Sequence, residues 1–263
     1  MKYTEKIVSH EQLKGDVLCY WQMSGIVDTR DGVKSRYIPK GQNLLIFNTG
    51  DEIEAESNSP QTPFFILPAI KSSMMVNQKG KIDLFGISFI GEGLFKLIQL
   101  PIPKIAELSN TLKQKLEDLH TEIKRLNFPE KTIVAEKFLL TNLNQNLTSQ
   151  HIQKSLELIN KKKGVMRVSE LAEEVGISER QLQRLFRNRI GVSPKDYCKI
   201  VRVNSYIEYF LEKGSAVDWM DLVVEYNYHD QPHLINEVKA IAKLSPKKLL
   251  QYRDTLYHRY TLD

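Results

Sequence analysis

The stretch LAEEVGISERQLQRLFRNRIGVSPK at residues 171–195 is followed by LVVEYNYHDQPHLINEVKAIAKLSPK at residues 222–247, and the two share one pattern. From Ser178 onward, the apolar, capping and Ser-Pro-Lys positions of the first stretch recur 52 residues later. Each stretch predicts a short helix, a tight turn and a second helix, because a capping Ser or Asp precedes apolar residues spaced three or four apart. We therefore expect two copies of one helical unit in the C-terminal part of the chain.

The first copy has clear signals for where its helices begin and end. Gly176 permits a left-handed turn, Ser178 is a strong N-cap, and Gln181 three residues later completes a capping box. We expect Ser169 to cap the helix before the turn. A supporting helix at about 151–160 is expected to end at Gly164.

The helix that follows Ser178 has an apolar face and a polar, cationic face. A helix-turn-helix unit places its second helix in the DNA major groove, where Arg and Gln have the bidentate geometry that reads guanine and adenine edges. In this first recognition helix, at about residues 178–189, the candidate DNA-binding residues are Arg180, Gln181, Gln183, Arg184 and Arg187.

The second recognition helix, at about residues 230–241, has the same frame with different side chains. Asp230 takes the capping place of Ser178, and Pro232 falls in the first turn, where its missing N–H costs nothing. Asn227 takes the turn position, since Asn tolerates the left-handed conformation. The candidate DNA-binding residues are Gln231, Pro232, His233, Ile235, Asn236 and Lys239.

Residues 194–212 predict one long helix between the two units. A helix of this length spans about 27 Å, and major grooves on one face of DNA are about 34 Å apart. We therefore expect this helix to hold the two recognition helices in adjacent grooves.

Residues 1 to about 100 predict strands, because short apolar runs alternate with turn residues. Strands at such spacing are typical of a barrel or a jelly-roll-like sandwich. The predicted fold class is α+β: an N-terminal β barrel or jelly-roll-like domain (residues 1–102), a helical connector and linker (103–149), and a C-terminal all-α domain (150–263) with two helix-turn-helix subdomains. The predicted strands cover residues 17–21, 44–47, 64–67, 74–76 and 84–89.

An apolar stripe in the connector predicts an amphipathic helix. Pro129 is expected to open a second helix, and residues 141–150 are the linker candidate. Two arrangements are open for the stripe: packing on the chain's own β domain, or a dimer seam at near-heptad spacing. The stripe consists of Leu108, Leu112, Leu116, Leu119, Ile123 and Leu126.

Composition sets limits on the class of protein. The net charge is +5, of which residues 151–263 carry +4; this permits nucleic-acid binding without requiring it. Cys19 and Cys198 are far apart in sequence and suit a reducing cytoplasm. We expect a cytoplasmic protein that is not an enzyme and has no membrane segment, cofactor or metal, because no matching run or motif occurs.

Residues from about 150 to 256 resemble the AraC/XylS family of bacterial transcription regulators. The resemblance rests on Leu171-Ala172, Ser178, residues 183–186, Gly191-x-Ser193-Pro194, Arg202 and residues 228–233. It implies that residues matching Arg180, Gln183 and Arg184 read bases from the first unit, and that those matching Gln231, Pro232, Ile235 and Asn236 face DNA from the second. Double-stranded DNA and RNA polymerase are the implied partners.

The second unit departs from the family pattern more than the first. The family usually has Gly where this chain has Asn227 and Lys243. It usually has Ala in place of Val223, Phe in place of Val238, and often Arg in place of Asn236. We expect an intact fold with weaker base contacts.

The N-terminal part is similar to the cupin-like β domains of some family members, which implies a role in sensing or dimerisation. His10 is its only histidine, so a multi-histidine metal site cannot form there. Tyr20, Trp21 and Tyr37 either line the pocket of a small-molecule effector or belong to the core. A homodimer is also an open expectation.

The expected function is sequence-specific DNA binding by a transcription regulator that its N-terminal domain controls. One alternative is a protein-interaction module, or anti-regulator, with a degenerate second unit. Another is an enzyme fused to a DNA-binding tail, which would need a catalytic set in residues 1–100 that the sequence does not offer.

Overall fold

The computed structural model describes residues 1–28, 32–51, 53–55, 63–213, 222–224, 228, 230–251 and 260–262. Statements about the fold refer to these residues. Asn227 and His229 lie outside them, so the turn position assigned to Asn227 is not described.

Strands of the N-terminal part, together with β9 from near the C-terminus, form two antiparallel sheets. One has the order β1-β2-β8-β4-β6 and the other the order β5-β7-β3-β9. All five predicted strands are present. The strands are β1 (Lys2–Ile7), β2 (Val17–Val27), β3 (Val33–Tyr37), β4 (Asn43–Asn48), β5 (Ile53–Ala55), β6 (Phe64–Leu67), β7 (Met74–Gln78), β8 (Gly80–Phe89) and β9 (Tyr260–Leu262).

The central strands of the larger sheet are buried on both faces. Side chains alternate along a strand, so Leu45 and Phe47 of β4 face one core while Leu44 and Ile46 face another. Because both faces of these strands are buried, runs such as residues 44–47 are apolar at every position instead of alternating between apolar and polar side chains. Gly86 of β8 lies flat against an indole ring, since a Cβ there would be 2.0 Å from Trp21 Cε2.

The three aromatic residues that the sequence assigned either to an effector pocket or to the core belong to these cores. Tyr20, Trp21 and Tyr37 retain 0%, 2% and 4% of their surface exposed. Their packing matches the core alternative.

Three helices cover one face of the larger sheet: α1 (Gly93–Ile98), α2 (Asn110–Ile123) and α3 (Phe128–Asn142). The connector stripe from Leu108 to Ile123 is buried in one core with Phe47 and Phe85. The stripe therefore packs on the chain's own β domain, which is the first of the two arrangements that the sequence left open. A capping box between Asn127 and Glu130 starts α3.

The predicted linker is anchored to the β domain. Lys96 Nζ lies 2.8 Å from Asp16 Oδ1, with side-chain exposures of 5% and 4%. Gln145 Nε2 donates to Asp16 Oδ2 at 3.0 Å, and Gln145 Oε1 accepts from Lys96 at 3.0 Å. A buried pair with its remaining hydrogen-bonding groups satisfied holds a defined geometry.

The described residues of the C-terminal part are mainly helical up to Gln251. Within the described ranges, none of the helices is long and apolar enough to span a membrane. The helices are α4 (Gln150–Lys161), α5 (Val168–Val175), α6 (Glu179–Arg189), α7 (Pro194–Lys213), α8 (Gln231–Ala242) and α9 (Pro246–Gln251).

One predicted cap is wrong. Ser169 lies inside the first turn of α5, and the N-cap position is Arg167. The Glu170 carboxylate accepts the Arg167 N–H at 3.2 Å. Glu170 thus provides an acceptor for the Arg167 N–H, which has no partner within the helix and which the Ser169 hydroxyl does not reach.

Replacing Leu116 by Ala should lower the free energy of unfolding by about 2–5 kcal/mol, because the side chain is fully buried and its loss leaves a cavity. Lys113→Ala, at an exposed position of the same helix, should change it by less than about 0.5 kcal/mol. Urea denaturation measures both. A Leu116→Ala protein of unchanged stability but altered sedimentation would instead indicate a dimer seam.

Candidate DNA-binding site

Local capping fixes α6, the first predicted recognition helix. Gly176 adopts φ +80° at the end of α5. The capping box is present: Ser178 Oγ accepts the Gln181 N–H at 3.3 Å, and Gln181 Oε1 accepts the Ser178 N–H at 3.1 Å. Leu182 and Phe186 are fully buried on the inner face.

Four of the predicted residues on α6 share its exposed face. At about 100° per residue, Arg180, Gln183, Arg184 and Arg187 fall within an arc of about 100°, and all are exposed. In the described part of the chain, none of the three guanidinium groups pairs with a carboxylate. Gln181 lies at the side of this arc, and its amide oxygen is used by the cap. The exposed face is thus cationic and has hydrogen-bond donors to offer.

The second predicted recognition helix, α8, also begins with a side-chain N-cap, but without the reciprocal bond of a capping box. Asp230 Oδ1 accepts the His233 N–H at 2.8 Å, and Pro232 lies in the first turn. Lys243 ends the helix with φ +55°, a left-handed conformation that favours Gly. Gly adopts this conformation without strain, which accounts for the Gly that the AraC/XylS family usually has at this position.

The outward face of α8 matches that of α6 position for position. Pro232, Asn236 and Lys239 are exposed, and Ile235 and Gln231 are half-buried at one side of the same arc. His233 lies on the other flank, where its ring centroid is 5.1 Å from that of Tyr228. This flank corresponds to that of Gln181 in α6, so Gln181 and His233 lie beside the shared face at matching positions, and Gln231 lies beside it on the opposite flank of α8.

The long helix α7 joins the two units through their cores. Tyr197 and Cys198, near its start, pack with the core of the first unit. Ile200, Val203 and Tyr206 pack with that of the second. The predicted helix from 194 to 212 is confirmed. Its 20 residues span about 30 Å.

A half-buried polar cluster braces α8 against α7. Arg202 donates twice to Glu237, at 2.8 and 3.0 Å, and its guanidinium carbon lies 5.3 Å from the Tyr228 ring centroid. The Tyr228 hydroxyl donates to Glu237 Oε1 at 2.5 Å. Burial and then the Glu237 carboxylate raise the pKa of Tyr228 above its ordinary value, so the hydroxyl keeps the proton that it donates. The sequence analysis did not identify Glu237 as part of this cluster. The available signal was that Glu237 directly precedes Val238, which faces the core.

Contacts from the β domain meet the C-terminal ends of both recognition helices. Asn43 Nδ2 donates to the Ile190 carbonyl oxygen at 3.2 Å. Ser73 donates its N–H to Ile241 O at 2.6 Å and its hydroxyl to Ala242 O at 2.8 Å. Ile190 and Ala242 are 52 residues apart and so occupy matching positions in the two units. The sequence carries no local signal for these contacts.

Two ion pairs add to the contact between the domains. Arg189, in the last turn of α6, lies 2.5 Å from Glu92, and its guanidinium carbon is 4.6 Å from the Phe95 ring centroid. Lys71 Nζ lies 2.9 Å from Asp196 Oδ2, near the start of α7.

The Lys71–Asp196 pair depends on pH. Burial alone would raise the pKa of the Asp196 carboxyl, but hydrogen bonds from Ser193 and Lys71 and the charges of Lys71 and Lys199 hold it below its ordinary value. A lowered pKa in the folded state gives a contribution to stability that is present at neutral pH. That contribution is lost as the pH falls below about 4.

Comparison with known proteins agrees with this geometry. Residues 171–252 match the model of a helix-turn-helix domain, and residues 5–111 match that of a domain of unknown function. No curated protein matches the chain.

Several solved structures are similar. One is a transcriptional regulator of the AraC-type DNA-binding domain-containing proteins from Chromobacterium violaceum (21% identity, 39% of this chain and 91% of that chain covered, TM-score 0.35). Others are ToxT from Vibrio cholerae strain SCE256 with a bound unsaturated fatty acid (11%, 87% and 94%, TM-score 0.43) and ToxT from V. cholerae O395 (10%, 88% and 92%, TM-score 0.40).

Residues 171–252 therefore form a helix-turn-helix domain, as the sequence predicts. The chain combines an N-terminal β domain with a helical C-terminal domain that contains this helix-turn-helix unit.

Two substitutions on α8 should separate its bracing side from its exposed side. Glu237→Ala leaves Arg202 without its partner and should lower the free energy of unfolding by about 2–3 kcal/mol. That is less than a fully buried pair would lose, since the Arg202 and Glu237 side chains retain 18% and 8% exposure. Lys239→Ala should leave stability within about 0.5 kcal/mol and weaken DNA binding. Urea denaturation and a DNA titration give the two readouts, and equal destabilisation by both changes would contradict the assignment of sides.

Proposed function

We propose that the protein binds a specific operator with α6 and α8 in adjacent major grooves, and that the β domain controls this binding. The DNA-binding part lies within residues 150–263, of which Tyr260–Leu262 (β9) pair with β3 of the β domain. The β domain comprises residues 1–102 and the connector residues 103–149. One observation carries the proposal. The exposed faces of α6 and α8 repeat at matching positions, and the contacts from the β domain fall elsewhere on both helices.

The two faces differ in chemistry, which supports unequal roles. α6 offers Arg180, Gln183 and Arg184, whose planar donors suit bidentate contact with guanine and adenine. The matching positions of α8 are Pro232, Ile235 and Asn236, of which Ile235 offers an apolar surface for a thymine methyl. We therefore infer that α6 supplies most of the sequence discrimination and α8 an auxiliary contact.

The β domain controls binding through its contacts with both units. Asn43, Glu92 and Lys71 reach α6 and the start of α7, while Ser73 reaches α8. A change in the β domain therefore alters the placement of the recognition helices rather than the access of DNA to them. RNA polymerase remains the expected protein partner.

A protein-interaction module is the second candidate function. The apolar Ile235 and the uncharged Pro232 at the centre of the α8 face favour it for the second unit alone. Under that alternative, substitutions on α8 leave DNA binding unchanged.

Arg184→Ala should weaken binding to an operator selected from random duplex DNA by about 1–3 kcal/mol, because a bidentate base contact is lost. Arg125→Ala, which removes the same charge from an exposed position outside the helical unit, is the matched control and should bind like wild type. Fluorescence anisotropy at fixed salt measures both. Equal affinities for Arg184→Ala and wild type would contradict base reading by α6.

Asn236→Ala should cost less than Arg184→Ala, on the order of 1 kcal/mol, because hydrogen bonds from a neutral amide are weaker than those from a charged guanidinium. The same operator and assay apply. An Asn236→Ala protein that loses more affinity than Arg184→Ala would reverse the assignment of the dominant unit, and one that loses none would favour the interaction module for α8.

A further inference from the structure

The β domain contacts the two recognition helices at equivalent points. In a helix, the last carbonyl groups have no partner within the helix. Asn43 supplies a donor to Ile190 at the end of α6, and Ser73 supplies two donors to Ile241 and Ala242 at the end of α8. One domain thus satisfies matching backbone groups of both units.

The two donor residues belong to a single connected piece of the β domain. Asn43 Oδ1 accepts the N–H of Ala69 at 2.9 Å, so the side chain that reaches α6 also holds the segment 69–73. Arg36 Nη1 on β3 donates to Ser73 Oγ at 3.3 Å. Asn43 and Ser73 retain only 1% and 9% exposure. Their positions relative to one another are therefore fixed by the β domain rather than by α7.

Further contacts surround these two points. Ala69 packs into the core of the first unit and Ile38 into that of the second. Asn204, near the middle of α7, donates to Pro39 O at 2.9 Å. The first unit, the linking helix and the second unit are each held by the same domain.

DNA is sensitive to such placement. Adding one base pair between two half-sites increases the distance between them by about 3.4 Å and rotates one relative to the other by about 35°. Hydrogen bonds tolerate a range of only about 0.5 Å in length. A brace made of short hydrogen bonds to both helices therefore resists a displacement of one base pair, whereas a helix joined only through its own side-chain packing can bend more.

We propose that Asn43 and Ser73 are specificity-determining residues that set the distance between the half-sites the protein accepts. The proposal rests on the proposed function, since it concerns how α6 and α8 share one operator. Neither residue touches DNA. Both act through the placement of the recognition helices, so their removal should change spacing preference rather than base preference.

The test uses the full chain and the operator selected with wild type. Duplexes with one or two base pairs added or removed between the half-sites are titrated with three proteins. They are wild type, Asn43→Ala/Ser73→Ala, and the control Asn110→Ala/Thr121→Ala, which changes one amide and one hydroxyl at exposed positions of α2. Dissociation constants are measured by fluorescence anisotropy, and thermal unfolding by circular dichroism checks each fold.

Wild type and the control should lose on the order of tenfold in affinity when the spacing changes by one base pair. The brace variant should bind the original spacing within about fivefold of wild type and lose less than about threefold on the altered duplexes. A folded brace variant with the steep spacing profile of wild type would overturn the proposal.

Two further outcomes are separable. If the double variant does not fold, Ser73→Ala alone decides. It keeps the backbone N–H bond to Ile241 and loses the two bonds of the hydroxyl, the one to Ala242 and the one from Arg36. It should flatten the spacing profile, and an unchanged profile contradicts the proposal. If wild type selects no operator at all, the proposed function fails, and this differs from specific binding with unchanged spacing preference.

Discussion

Backbone carbonyl groups at the C-terminal ends of α6 and α8 need hydrogen-bond donors, and the β domain supplies them. Buried carbonyls without partners are costly, so this requirement fixes how the two parts of the chain meet. Asn43 reaches Ile190 and Ser73 reaches Ile241 and Ala242. Because the carbonyls of Ile190 and Ala242 are equivalent in the two units, the same contact that joins the domains also relates one recognition helix to the other.

Much of the helical part could be predicted from the sequence because its signals are local. Ser178 with Gln181, and Asp230 before Pro232, mark helix starts within four residues, and the structure has both caps. Ser169 shows the limit of such signals. A residue with a strong capping preference was near the right place, but Glu170 made the competing bond with Arg167. The capping propensity of a residue indicates roughly where a helix begins, and the hydrogen bonds formed in the folded chain determine the residue at which it begins.

The rest could not be predicted, because it depends on partners far apart in sequence. The connector stripe shows an apolar face without showing what covers it, so a dimer seam and internal packing fit the same leucines. Asn43 and Ile190 are joined across 147 positions, and Ser73 and Ala242 across 169. The pair of Arg202 and Glu237 also needs the folded units, since only packing brings α7 beside α8. Seven of the site candidates nonetheless follow from the 3.6-residue period alone, because each lies on the exposed outward face of its helix. They are Arg180, Gln183, Arg184 and Arg187 on α6 and Pro232, Asn236 and Lys239 on α8.

Hydroxyl-radical footprinting of wild type on its selected operator tests the central claim most directly, namely that one chain places two braced helices on one face of DNA. The account predicts two protected patches on the same face of the duplex, centred about one helical turn, or 10–10.5 base pairs, apart. They should appear together at a single protein concentration. A single protected patch, or two patches that fill at different concentrations or lie on opposite faces, would contradict it.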